Sequence, residues 1–201
     1  MKAQLLIALI GSLFLSAAHG AANSTETIKN LNSAYQDEAN AHSRYALFAK
    51  EAHKEGYDEV AKLFRAASRS ELEHSNAHKN ALEKLGSKAD PVMREKMNVG
   101  TTRKNLESAL KGESYERDVM YPAFIKQAQA DKAEPAVRSF MYAKAGETAH
   151  AKLYKEALDH LGKNAPTDYY VCSVCGNTVT VPPHKKCPVC GNSADKYVRI
   201  D

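Results

Sequence analysis

The chain has 201 residues, 43% of them hydrophobic, no Trp and a formal charge of +4. That is enough for one helical domain of ordinary size with a small appendage. The charge excess is small, and no basic run interleaves with aromatics, so nucleic-acid binding has no support. The four cysteines all lie between Cys172 and Cys190, which argues against a fold stapled by scattered disulfides.

Residues 1–22 read as an export signal: Lys2, an apolar run from Leu5 to Leu15, then small residues at Ala17, Ala18, Gly20, Ala21 and Ala22. Cleavage is expected after Gly20 or Ala22. The run is short for a membrane span, which needs about 20 residues. No cysteine follows it to carry a lipid anchor. The expected location is the periplasm, with no membrane attachment after cleavage.

Residues 23–162 read as four helices. The first opens at the polar stretch from Asn23 to Glu26 and carries the stripe Ile28, Leu31, Tyr35, Glu38, His42, Tyr45 and Phe48, with Gly56 as its stop. The second runs from about Asp58 to Leu85, with Val60, Phe64, Ala67, Glu71, His74, His78 and Leu82 on one face and Gly86 as its stop. Residues 87–100 hold Pro91 and Gly100 and read as a crossover, with room for a short helix. The third helix starts at Thr101 or Thr102 and carries Leu106, Leu110, Glu113, Glu116, Met120 and Phe124; Pro122 predicts a kink just past Glu116. The fourth opens near Pro135 and carries Val137, Phe140, Ala143, Glu147, His150, Tyr154 and Leu158, up to Gly162. One long connection between two helix pairs predicts an all-α, ferritin-like four-helix bundle.

Polar residues in these apolar stripes carry the chemistry. Glu-x-x-His occurs at Glu71–His74 and again at Glu147–His150, and positions i and i+3 share a helix face. Glu38 and Glu113 each add one carboxylate from the other two helices, and Glu116 a further one. A buried, charged, unpaired carboxylate costs several kcal/mol. Five at one level of a bundle call for cations. Oxygen mixed with imidazole suits iron or manganese, and this is the ligand set of a carboxylate-bridged di-metal site. Tyr45 and Tyr121 fall near the ligand level, where each phenol can donate to a carboxylate or simply pack. His42 and His78 face inward in supporting or packing roles; His53, His160 and His184 read as exposed.

Residues 163–169 read as a linker. Residues 170–201 are too few for a core of their own and hold Cys172-x-x-Cys175-Gly and Cys187-Pro-x-Cys190-Gly. Two such hairpins give tetrahedral sulfur ligation, suited to zinc or a single iron, in a small domain of short β-strands and turns.

The segments NLNSAYQDEANAHSRYALFA, LFRAASRSELEHSNAH, LKGESYERDVMYPAF, AGETAHAKLY, VCSVCG and CPVCG together resemble the rubrerythrins, over nearly all of residues 30–198. The resemblance implies a di-iron bundle followed by a rubredoxin-like tail whose four cysteines hold one iron. It implies Glu38, Glu71, Glu113, Glu147 and His150 as di-iron ligands, with Glu71 and Glu147 bridging. It casts Glu116 and His74 as the pair that exchange at one iron with redox state, and so as the catalytic residues. The implied reaction reduces hydrogen peroxide to water, with electrons from an unidentified donor passing through Cys172, Cys175, Cys187 and Cys190. A homodimer or larger homo-oligomer is implied, in which one subunit's tail lies near the other's di-iron site, since a tail at one bundle end would not reach its own metals. The competing function is a ferritin-like ferroxidase or iron store with a structural zinc tail. Two departures from the family pattern are Asp37-Glu38-Ala39, where Gly-Glu-Ser is common, and Asn177, where an aromatic often follows Cys-Gly.

Overall fold

The computed structural model describes residues 25–201; the expected export signal lies outside them. Five α-helices form the bundle: α1 (Thr25–Lys54), α2 (Asp58–Lys84), α3 (Thr102–Tyr115), α4 (Tyr121–Ala130) and α5 (Glu134–Asp159). Among the described residues no helix is long and apolar enough to cross a membrane. The glycines read as helix stops have the left-handed backbone that ends a helix: φ is 83° at Gly56, 76° at Gly86 and 89° at Gly162. Thr101 caps α3, its hydroxyl accepting from the Lys104 N–H.

The third helix of the sequence reading is two helices. Between α3 and α4 lies a π-turn, Glu116–Met120, in which the Tyr121 N–H donates to the Glu116 carbonyl five residues back. The break therefore precedes Pro122, which sits in the first turn of α4. Proline has no N–H for the carbonyl four residues before it, and the wider turn is compatible with that loss.

The crossover forms no helix. It lies along α1, where amides at successive turns hold it. The Asn32 Oδ1 accepts from the Asp90 N–H at 2.9 Å, Gln36 bonds Met93 N and Pro91 O at 2.8 and 3.0 Å, and Asn40 bonds Met93 O and Glu95 N at 3.0 and 3.2 Å. Four-residue spacing puts all three amides on one helix face, so side chains replace the backbone pairing an extended segment otherwise needs.

Two apolar clusters fill the bundle. One holds Tyr45, Phe48, Phe64, Leu106 and Tyr154; the other holds Leu31, Leu82, Tyr121 and Phe140. Along each ligand-bearing helix a glutamate falls between the two clusters, as Glu38 does between Leu31 and Tyr45. The carboxylates thus form a polar layer sealed above and below by packed side chains.

The tail is a three-stranded antiparallel sheet, β1 (Tyr169–Cys172), β2 (Thr178–Val179) and β3 (Tyr197–Ile200), in the order β2-β1-β3. It shares the bundle's core: Tyr169 and Val171 pack in the cluster with Tyr45 and Phe64. That answers how a segment too small for its own core folds.

Candidate metal centres

Four helices deliver two donor sets that share members. Glu38, Glu71, His74 and Glu147 form one, and Glu71, Glu113, Glu147 and His150 the other, each with its donor atoms within 4.8 Å of one another. The His74 Nδ1 lies 2.8 Å from Glu71 Oε2 and 3.2 Å from Glu147 Oε1. The His150 Nδ1 lies 3.1 Å from Glu71 Oε1 and 3.1 Å from Glu147 Oε2. Glu71 and Glu147 thus turn one oxygen to each set, while Glu38 and Glu113 each serve one. The four carboxylates are at most 2% exposed. Glu71 Oε1 and Glu147 Oε1 are buried and accept no hydrogen bond. Buried carboxylate oxygens without donors are costly unless a cation meets them, so the residues present fit two metal ions.

Tyrosine hydroxyls brace the outer pair. Tyr45 donates to Glu113 Oε1, and Tyr121 donates to Glu38 Oε1. Each tyrosine serves the carboxylate of the other half. Behind Tyr121, His78 Nε2 lies 3.2 Å from its oxygen, and Ser139 Oγ lies 2.6 Å from His78 Nδ1. His42 is bound elsewhere, at 2.7 Å from the Ser68 carbonyl.

In the tail, Cys172, Cys175, Cys187 and Cys190 form a third donor set. The two hairpins match: Gly176 N–H donates to the Cys172 carbonyl and Gly191 N–H to the Cys187 carbonyl, both at 2.9 Å, and both glycines have φ of 72°. Four sulfurs at one point fit a single tetrahedral metal. Asn177, in place of an aromatic, donates to the Tyr197 hydroxyl at 2.6 Å, and Tyr197 donates to Cys187 Sγ at 3.2 Å.

The Rubrerythrin family model matches residues 29–158. Rubrerythrin-2 of Clostridium acetobutylicum is 34% identical over 170 residues, covering 83% of this chain and 92% of the relative. The chain belongs to the rubrerythrin family. Nigerythrin of Nitratidesulfovibrio vulgaris is 33% identical over 173 residues, 85% of either chain. A structure of nigerythrin in its fully reduced, all-ferrous state superposes with a TM-score of 0.79 at 29% identity, covering 99% of this chain and 100% of that one. A bacterioferritin of Mycobacterium tuberculosis, 21% identical with a TM-score of 0.63 over 69% of this chain and 87% of its own, shares the fold. For a rubrerythrin, the bundle set is that of a di-iron centre and the cysteine set that of a single iron.

Electrostatics sort the carboxyls. Burial and the neighbouring Glu71 charge push Glu38 well above the usual carboxylate range, and the same two causes raise Glu147. Burial opposes ionisation of Glu71 too, but His150 and His74 outweigh it and hold Glu71 low. Burial works against charging His74 and His150, yet the facing glutamates raise both. His78, by contrast, is pushed down to about 3 by burial and by His74, so it stays neutral.

Glu116 belongs to neither donor set. It sits at the start of the π-turn, partly buried, and burial with the Glu113 and Glu71 charges raises its carboxyl to about 8. His74 is inside a set while Glu116 is outside both.

One expectation is corrected. The rubrerythrin resemblance implied a tail out of reach of its own metals; here the tail lies across its own chain's site. Ser70, one residue before Glu71, donates to the Gly176 carbonyl at 2.6 Å. Thr178 Oγ1 lies 3.1 Å from His150 Nε2, the ring nitrogen turned away from the carboxylates. Sequence reading missed Ser70, Gly176 and Thr178, because contact between remote segments leaves no periodic mark. It missed Gly146 too, where a Cβ would lie 2.3 Å from His74 Cε1, although a glycine inside a helical run is itself a signal.

Proposed function

We propose that this rubrerythrin is a non-haem di-iron peroxidase that reduces hydrogen peroxide to water, with electrons supplied through its cysteine tail by an external donor. The observation that carries the reading is the contact of a four-cysteine centre with a carboxylate–imidazole centre in one chain. Storage of iron takes electrons from incoming Fe²⁺ and has no use for such an attachment. Bound iron supplies the two-electron chemistry: hydrogen peroxide, two protons and two electrons give two waters.

The chain's own residues prepare that chemistry. Glu71 and Glu147, each facing both histidines, fix the separation of the two metal positions. Tyr45 and Tyr121 hold the outer carboxylates in one rotamer by charge-assisted hydrogen bonds. Thr178 fixes the outer nitrogen of His150, so that Nδ1 stays turned to the site. Glu116, with its carboxyl at about 8, keeps a proton near neutral pH beside the reacting centre. Its exclusion from the sets while His74 is inside supports the pair exchanging as ligands. The two apolar clusters keep water from the layer between them. Export by residues 1–22 to the periplasm is part of the proposal and rests on the sequence pattern alone.

Cys175→Ser tests electron delivery. Donor-driven peroxide turnover is expected to be lost, while chemically pre-reduced protein still consumes one round of peroxide. Full turnover in that variant would overturn delivery through the tail.

A further inference from the structure

A tyrosine hydroxyl inside the tail is aimed at one of the four sulfurs. Tyr197 donates to Cys187 Sγ at 3.2 Å. Such a bond is weak to a thiol and charge-assisted to a metal-bound thiolate. Three features place it. The antiparallel pairing of β1 with β3 sets Tyr197 opposite Cys172. The Lys196 carbonyl, one residue earlier, accepts from the Ser173 N–H at 2.9 Å and from the Ser173 hydroxyl at 3.0 Å, which pins the start of β3 to the first hairpin. Tyr197 also packs against the cluster of Cys172, Cys175 and Cys187.

Asn177 sets the direction of the bond. Its backbone carbonyl accepts from the Cys172 N–H at 3.0 Å, so its place follows from the hairpin. Its buried side-chain amide donates to the Tyr197 hydroxyl at 2.6 Å. An amide nitrogen has only hydrogens to offer, so the phenol oxygen accepts there and its own hydrogen is left for the sulfur. Asn192 is the matching residue of the second hairpin. Its carbonyl takes the Cys187 N–H at 2.7 Å in the same way, but Asn192 is exposed. The hairpins agree in backbone and differ in what this asparagine meets.

We infer that Tyr197, oriented by Asn177, raises the reduction potential of the iron held by the four cysteines. Reduction takes that iron from ferric to ferrous with one electron from an external one-electron reductant. It leaves one more negative charge on the metal and its thiolates. A hydrogen bond donated to one of those sulfurs stabilises the reduced state more than the oxidised one, and hydrogen bonds to sulfur are among the levers that set such potentials. No proton moves and no covalent bond breaks. All these groups lie within the tail, so the effect does not depend on where the tail docks. A higher potential lets a milder reductant fill the tail and leaves less drive for onward transfer to the bundle. That consequence rests on the peroxidase reading above; the hydrogen bond and its effect on the potential do not.

The test is the reduction potential of the full-length, iron-loaded protein, read from the thiolate–iron colour at equilibrium with a one-electron reference dye and without peroxide. Tyr197→Phe keeps the ring and removes the hydroxyl. Its equilibrium with the dye should shift about tenfold toward the oxidised tail, a fall of about 59 mV. An unchanged potential would overturn the inference and would mean that the phenol gives its hydrogen to Asn177 instead. Asn177→Leu removes the orienting amide and should give a smaller fall in the same direction. In the double variant the fall should equal that of Tyr197→Phe alone, because Asn177 acts through Tyr197. An additive fall would overturn the orienting role. If Tyr197→Phe fails to hold iron, Asn177→Leu decides by itself, and an unchanged potential there overturns the pair.

Discussion

The two halves of the bundle bring matching side chains to the same layer: Glu38, Tyr45, Glu71 and His74 from α1 and α2, and Glu113, Tyr121, Glu147 and His150 from α3 to α5. They differ in one spacing. Along α1 seven residues carry the chain from carboxylate to tyrosine, two helical turns; from Glu113 to Tyr121 it takes eight. The π-turn absorbs the extra residue, so Tyr121 still faces Glu38 as Tyr45 faces Glu113. The turn begins at Glu116. The equivalent place on α1, three residues after Glu38, is Ala41, a buried methyl. The shared residues hold two metals in a symmetric frame, and the turn that absorbs the inserted residue supplies a carboxyl outside both donor sets.

The comparison can be broken most severely at the carboxylates common to both sets. Glu71→Ala and Glu147→Ala should each empty both bundle positions, leaving about one iron per chain, that of the tail, by metal assay. A variant that keeps one bundle iron would show that the two halves bind independently. Next is the asymmetry itself. Glu116→Ala should leave the far-ultraviolet spectrum and iron content unchanged and slow the peroxide step by at least ~10-fold in single-turnover mixing; unchanged kinetics would remove Glu116 from the reaction.

A pH series distinguishes frame from filling. Glu38, Glu147 and Glu116 have raised carboxyls, so the folded metal-free chain keeps protons that unfolded glutamates have lost above their usual 4.5. Protons bound in the folded state exceed those in the unfolded state, so their contribution to stability falls as pH rises through neutrality to about 8. Raised His74 and His150 act in the same direction; Glu71 opposes below its usual 4.5, and His78, pushed down to about 3, opposes below its usual 6.5. Chelator-treated protein should therefore melt at lower temperature as pH rises above 6.5. Metal uptake must displace the same protons and should release acid in an unbuffered titration.

Tyrosine replacement gives a smaller effect. Tyr45→Phe should cost about 1–2 kcal/mol and Tyr121→Phe about 1–3 kcal/mol in denaturant unfolding, because the second strips a partner from His78 as well as from Glu38. Equal losses would mean that the His78–Ser139 pair is self-sufficient. Smallest is Gly112→Ala, expected to stabilise by roughly 0.5–1 kcal/mol, since nothing opposes the helix preference for alanine there.

The sequence displayed the ligand layer because burial forces it into view: a glutamate in an apolar stripe is legible wherever the helical period is. Helix ends were legible at Gly56, Gly86 and Gly162 for a similarly local reason. The π-turn was not, since one inserted residue appears only when the two halves are aligned to each other. Pro122 drew attention to the right region, where the backbone widens into a π-turn instead of a simple kink. The crossover's amide ladder left Asn32, Gln36 and Asn40 looking like ordinary solvated positions. The seam between tail and bundle joins residues more than a hundred apart, such as Ser70 and Gly176.

The most direct test of the account is an anaerobic peroxide titration of fully reduced, metal-assayed protein, followed by visible absorbance. Return of the thiolate–iron colour as peroxide is added, at about one peroxide per two electrons stored, is the predicted result: both centres hold iron and exchange electrons. A tail that assays as zinc and shows no visible band would contradict it and leave the iron-storage function as the better description.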